Sequence, residues 1–194
     1  MAAEADPDVQ RMLDLQHGDL AAFDDLFTRH GAAVVRFATQ LVGNRARAEE
    51  LAQEVFLQVY RNRSNYTPSA RFVTWLYRMV TNACLSEIRR SEHRHRARPR
   101  PDRDGEEPPP PEIPVTSAEQ DLLSHETVDR IRAVLTRLPA QQRAALLLAR
   151  VEGLSYDEVA EALSTSVAAI KSLVHRATVT MREALPDLRE VDES

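Results

Sequence analysis

The chain has 194 residues and a net charge of −5 at pH 7, with 43% hydrophobic and 28% charged residues. That apolar share supports packed cores and excludes a disordered chain, and the length suits one domain or two small ones. One cysteine, Cys84, excludes an internal disulfide and a thiolate metal cluster, and the longest apolar run, Ala144–Ala149, falls far short of the ~20 residues that cross a bilayer.

The acidic Met1–Asp8 stretch has no apolar signal core, so a cytoplasmic location is expected. The periodicity predicts helices at about residues 8–17, 19–42, 46–61 and 69–91, broken at Gly18 and at Gly43-Asn44. Leu51, Val55 and Val59 mark the buried face of the third helix. Phe72, Leu76, Met79, Val80 and Ala83 mark that of the fourth. The loop from Arg63 to Ala70, with Tyr66 and Pro68, reads as too polar for a core.

A charge reversal follows. Seven arginines lie between Arg89 and Arg103, and seven acids with no Lys or Arg lie between Asp104 and Glu126. Pro108–Pro111 and Pro114 sit in the acidic part, so Pro99–Thr116 is expected to be a semi-extended linker, within a linker assigned to residues 93–116. Such a reversal fits a strand laid against an electropositive surface. His93 and His95, in the arginine run, read as solvated rather than as metal ligands.

Beyond the linker, Ser117 with Gln120 resembles a capping box opening a helix to about Arg137, with Val128, Ile131, Val134, Leu135 and Leu138 as its buried stripe. Pro139 suits the first turn of a helix ending near Val151, where Gly153 takes a left-handed cap. Ser155 with Glu158 is a second capping box, and its helix turns Val159, Ala160 and Leu163 inward. Ser164-Thr165-Ser166 interrupts it. A longer helix then carries Val167, Ile170, Val174, Ala177, Met181 and Leu185 on one stripe, leaving Ala168, Ala169, Lys171, Ser172, His175 and Arg176 on or beside the opposite flank. This is a helix-turn-helix with a recognition helix, although ordinary helical bundles also contain such a pair. From Ser155 to Leu185 four acids face three bases, too few for a free-standing DNA-binding domain. The tail 187–194 is acidic.

Taken together the motifs resemble a family. The string Ala48-Glu49-Glu50-Leu51-Ala52-Gln53-Glu54-Val55-Phe56-Leu57 is followed by Phe72-Val73-Thr74-Trp75-Leu76, Asn82 and Glu87-Ile88-Arg89-Arg90. Downstream stand Leu138-Pro139, Gly153-Leu154-Ser155-Tyr156, Lys171-Ser172 and His175-Arg176-Ala177. In this order and spacing the chain resembles an extracytoplasmic-function (ECF) sigma factor of the bacterial sigma-70 family. The resemblance implies an all-α protein with two small helical domains: sigma domain 2 over residues 8–92 and sigma domain 4 over residues 117–186.

The resemblance also implies partners. Glu50, Leu51, Gln53, Glu54 and Leu57 would grip the clamp of the largest subunit of core RNA polymerase. The flap region of the second-largest subunit would take domain 4, and the linker would thread toward the RNA exit channel. Tyr66, Arg71, Trp75, Arg78, Asn82, Arg89 and Arg90 would handle the minus-10 element of promoter DNA. There Asn82 would read the edge of a flipped base, Tyr66 would wall its pocket and the arginines would hold phosphates. Trp75, flanked by Phe72, Leu76 and Met79, reads as core rather than as a wedge. Ala168, Ala169, Lys171, Ser172, His175 and Arg176 would meet the minus-35 element. His175 also reads as a solvated face residue. Leu173 and Thr178 stand where the family carries arginine, which weakens phosphate attraction unless Leu173 packs against something.

An anti-sigma factor is expected as a partner, and no stable homo-oligomer. No paired catalytic carboxylates, Gly-rich phosphate loop or metal-ligand spacing appears, so no enzyme activity, cofactor or metal is expected. Two other readings remain at this point. One is a helix-turn-helix regulator acting without polymerase; the other is a sigma mimic that sequesters an anti-sigma factor.

Overall fold

The computed structural model describes residues 6–97 and 120–186, and within them the protein is all-helical. The helices are α1 (Pro7–Gln16), α2 (Leu20–Val42), α3 (Arg45–Arg61), α4 (Phe72–Ala97), α5 (Gln120–Arg137), α6 (Ala140–Arg150), α7 (Tyr156–Ala162) and α8 (Val167–Ala184), with one 3-10 turn at Arg63–Asn65. The capping box at Ser117, most of the linker and the acidic tail lie outside the described residues.

Local chemistry accounts for most boundaries. Gly43 closes α2 at φ 76°, donating its N–H to Thr39 O at 2.9 Å, and Asn44 then caps α3 by accepting from Arg47 N. Gly153 has φ 69°, as its place after α6 requires. Ser155 and Glu158 form the reciprocal capping box of α7, and Ser166 caps α8 by accepting from Ala169 N. Pro139 precedes α6 as its N-cap, and its carbonyl accepts from Arg143 N.

The fourth helix departs from expectation at both ends. It starts at Phe72 rather than Ser69, and it runs through the arginine-rich segment to Ala97, because no proline stops it before Pro99. Its start is capped from far away. Asp6 accepts from Phe72 N through Oδ2 at 3.0 Å, while Oδ1 accepts from Asp8 N at the start of α1. One carboxylate therefore caps two helices. Asp8 in turn binds Arg29 and His30 of α2, His30 Nε2 lying 2.8 Å away.

Helices α1 to α4 enclose a core centred on Met12, Leu15, Leu26, Phe37, Leu41, Val55, Phe72, Leu76 and Cys84, all essentially solvent-free. Burial pushes the Cys84 thiol up to about 12, so it stays protonated and unreactive at neutral pH. Helices α5 to α8 bury Leu138, Leu147, Leu148, Val159, Ile170, Val174 and Ala177. Val128, expected in the stripe of α5, is instead 42% exposed, as the buried part of that stripe begins further along at Val134 and Leu135. The two cores run together in one apolar cluster, because α7 and α6 pack against α4 and α2.

Replacing Asp6 with alanine removes both caps and is expected to lower stability by about 1–2 kcal/mol in urea unfolding, whereas Asp6→Asn, which still accepts, should recover much of it. An unchanged midpoint in Asp6→Ala would mean that neither cap contributes.

Candidate nucleic-acid interface

Residues 71, 78, 82 and 89 are spaced by seven, eleven and eighteen, which at ~100° per residue places them within about 20° of a single line along α4. Arg71, Arg78, Asn82 and Arg89 are all exposed there. Arg78 and Asn82 have no side-chain partner among the described residues, while Arg89 Nη2 donates to Ser86 Oγ at 3.1 Å. The line is cationic around one neutral amide, and that amide both donates and accepts. Arg90 lies about a quarter turn away and is also exposed.

Trp75 is half-buried, its ring 5.1 Å from Tyr66 and 5.9 Å from Phe72, which agrees with the core reading. Tyr66 needs correction. Only 6% of it is exposed, its hydroxyl has no partner, and burial pushes the phenol up to about 12. Gln16 Nε2 donates to Ser64 O at 3.0 Å and to Tyr66 O at 3.4 Å, so the loop is drawn down onto α1 and the ring turns inward. Tyr66 supports Trp75 from beneath and does not wall an open pocket.

On α3, Glu50, Gln53, Glu54 and Leu57 form an exposed face, Leu57 being 51% exposed. Leu51, which the resemblance grouped with the clamp-binding residues, is 3% exposed, on the inward flank of Val55 and Val59 where its period placed it. The sequence reading missed what lies beside the acids. Phe27 of α2 is 48% exposed and borders an apolar groove of about 630 Å³ that Val35, Phe56 and Gln53 also line. Its i, i+4 neighbours gave a signal, since Phe23 and Phe27 are both bulky, but which one α3 covers is a matter of packing.

Arg47 ties the acidic face to α4. Its Nη1 meets Glu50 at 2.6 Å and Glu54 at 3.6 Å, and its Nη2 meets Glu87 at 3.0 Å. Glu87 is buried and also takes Arg94 Nη2 at 2.8 Å. Arg94 first, then Arg47, holds the Glu87 carboxyl below its ordinary range.

The exposed flank of α8 presents Ala168, Lys171, Ser172, His175 and Arg176, with Ala169 half-buried. Arg176 Nε donates to Ser172 O at 3.3 Å, folding its head along the helix. Leu173 is half-buried against the apolar cluster, and Thr178 Oγ1 donates to Val174 O at 2.8 Å. Leu173 therefore serves the interior of this half, while the Thr178 hydroxyl is spent on its own helix backbone.

The two halves meet on the flank of α4 adjoining the cationic line. Arg71 Nη1 lies 3.1 Å from Glu158, Thr74 Oγ1 donates to the same carboxylate at 3.3 Å, and Tyr77 donates its hydroxyl to Glu152. Burial alone would raise the Glu158 carboxyl, but the Ser155 hydrogen bonds and Arg71 hold it below its ordinary range. Burial, then the Glu152 bond, raises the Tyr77 phenol. An acid of the helix-turn-helix, Glu158, thus occupies the arginine immediately before α4.

Among the described residues there is no cluster of His, Cys, Asp and Glu that could hold a metal, and no helix long and apolar enough to cross a membrane. A two-part helical chain with a cationic helix in one half and a helix-turn-helix in the other matches two family descriptions: Sigma-70 region 2 over residues 26–94, and Sigma-70, region 4 over residues 129–181. The chain is 33% identical over 167 residues to the RNA polymerase sigma factor CarQ of Myxococcus xanthus, covering 86% of this chain and 91% of that protein. It is 36% identical to the ECF RNA polymerase sigma factor SigE of Mycolicibacterium smegmatis, covering 87% of this chain and 64% of that longer protein. In fold it is similar to the sigma factor RpoE of Bartonella quintana, solved in complex with the anti-sigma factor NepR, at a TM-score of 0.67 and 24% identity over 84% of this chain and 96% of that one. The chain belongs to the ECF sigma factors of the sigma-70 family.

Because Glu87 is charged more readily folded than unfolded, its contribution is fully present above the ordinary glutamate range and is lost as pH falls through its lowered folded value. Glu87→Gln is expected to cost about 1–2 kcal/mol at pH 7 and to flatten the loss of stability below about pH 4.5, measured by urea unfolding across pH 3–7. An acid limb as steep as wild type would assign that loss to other carboxylates.

Proposed function

We propose that this chain is a promoter-specificity subunit that binds core RNA polymerase, selects minus-35 and minus-10 elements, melts the promoter and initiates transcription of a stress or envelope-response regulon. The observation that carries this reading is the exposed line of Arg71, Arg78, Asn82 and Arg89 on α4. Melting without fuel requires a surface that prefers the unpaired strand. A base edge held by Asn82 and a backbone held by arginines offset the few kcal/mol of unpairing.

Glu50, Gln53, Glu54 and Leu57, with Phe27 and its groove, form the surface assigned to the polymerase clamp. Arg47 neutralises two of those acids in the free chain, and arginines of a clamp helix would replace it. The exposed flank of α8 is assigned to the minus-35 major groove, where alanine methyls and Ser172 touch bases and Lys171 and Arg176 meet phosphates. The flap of the second-largest subunit is assigned to the 117–186 half, and the part of the expected linker beyond α4, which runs to Ala97, to the path toward the RNA exit. Since Arg71 is tied to Glu158 here, engaging the minus-10 strand requires the two halves to part. An anti-sigma factor that holds them together would keep the protein silent, and the complex of RpoE with NepR is a precedent for such a partner in the fold.

Run-off transcription with core polymerase and a promoter library should give initiation sites absent without this protein, and no added specific initiation would reject the reading. Asn82→Ala is expected to reduce open complexes about tenfold while leaving core binding unchanged, a base contact being worth about 1–3 kcal/mol. Equal loss of both would remove the base-reading role. In Lys171→Ala the slope of log affinity against log salt for promoter binding by the holoenzyme should fall by about 1.

A further inference from the structure

Among the described residues, Arg143 of α6 is a buried cation without a counter-ion. It is 7% exposed, its one side-chain hydrogen bond runs from Nη1 to Leu135 O at 3.5 Å, and its Nε is buried with no partner. No described carboxylate pairs with it, and burial lowers its affinity for the proton. Folded proteins rarely leave a guanidinium in this condition, since an unpaired buried charge costs several kcal/mol.

The same side chain lines a cleft of about 850 Å³ between the two halves. Opposite it stand Asn44 at the α2–α3 corner, Arg47 of α3, and Ser91 and Arg94 of α4. The carboxylates in that cleft are Glu87, already shared by Arg47 and Arg94, and exposed Glu92. Three guanidinium groups therefore face two carboxylates, in a space of the size that holds small ligands. Guanidinium forks match tetrahedral oxyanions, and a group carrying two negative charges and three free oxygens can engage more than one fork at once.

We propose that this cleft binds a small phosphorylated ligand, its phosphoryl oxygens supplying the missing partner of Arg143 together with Arg94. Neither half alone contains the site, because Arg143 comes from one and Arg94 from the other. Occupancy therefore favours the packed arrangement over the parted one by mass action.

The test uses the full chain and pyrophosphate as the probe, with thermal unfolding followed at constant ionic strength. Pyrophosphate in large excess is expected to raise the wild-type midpoint by about 5 °C. In Arg143→Met the rise should vanish, and in Arg94→Ala, whose side chain is 65% exposed in the wild type, it should fall by more than half. Arg94→Ala decides alone if Arg143→Met does not fold. An equal rise in Arg94→Ala, or an equal rise with citrate in the wild type, would reduce the effect to general anion screening and overturn the proposal. So would no rise at all.

Discussion

Phe72, Leu76, Val80 and Cys84 are withdrawn from water along one flank of α4, packed against α2 and α3. A straight helix anchored in this way has no freedom over where its other residues point. The opposite flank must carry Arg71, Arg78, Asn82 and Arg89 into solvent. The flank between must carry Thr74 and Tyr77 toward whatever packs there, and in this molecule that is α7. Each surface property of the helix follows from one buried stripe, so exposure of the polar line needs no further device.

The electrostatic arrangement repeats a simple economy. Cations of the first half are matched internally by acids that lie at other surfaces: Arg47 by Glu50, Glu54 and Glu87, and Arg71 by Glu158. The exposed pairs of Arg47 with Glu50 and Glu54 contribute little stability, typically below ~1 kcal/mol, so exchanging them for other charges costs little, whereas the pair with buried Glu87 stays in place. The chain's net charge of −5 is in keeping with the proposed role, in which nucleic acid is met only as part of a larger assembly.

Much of this was legible in the sequence because it depends on local rules. The buried stripes of α3 and α8, the capping box at Ser155 and Glu158, and the left-handed turn at Gly153 follow from spacing and backbone chemistry over a few residues. What was not legible depends on contacts distant in sequence. The cap of α4 comes from Asp6, sixty-six residues away, and no local pattern announces it. Tyr66 looked like an exposed loop aromatic because its neighbours are polar, yet Gln16 draws its loop inward. Leu51 belongs by period to the inward flank of α3 and to the matched motif at once, and burial decided between them. The groove at Phe27 and the lone charge at Arg143 are products of packing between helices, so periodicity could not separate them from ordinary core and surface positions.

Arginine supplies 24 of the 25 cationic side chains, and the exception, Lys171, stands exposed on α8. A guanidinium keeps its proton across the whole accessible pH range and resists acylation, so almost every positive charge on this molecule is chemically permanent. Amine-directed reagents accordingly find a single side chain, and apart from the α-amine a dye or crosslinker placed there reports on the second helix of the helix-turn-helix alone.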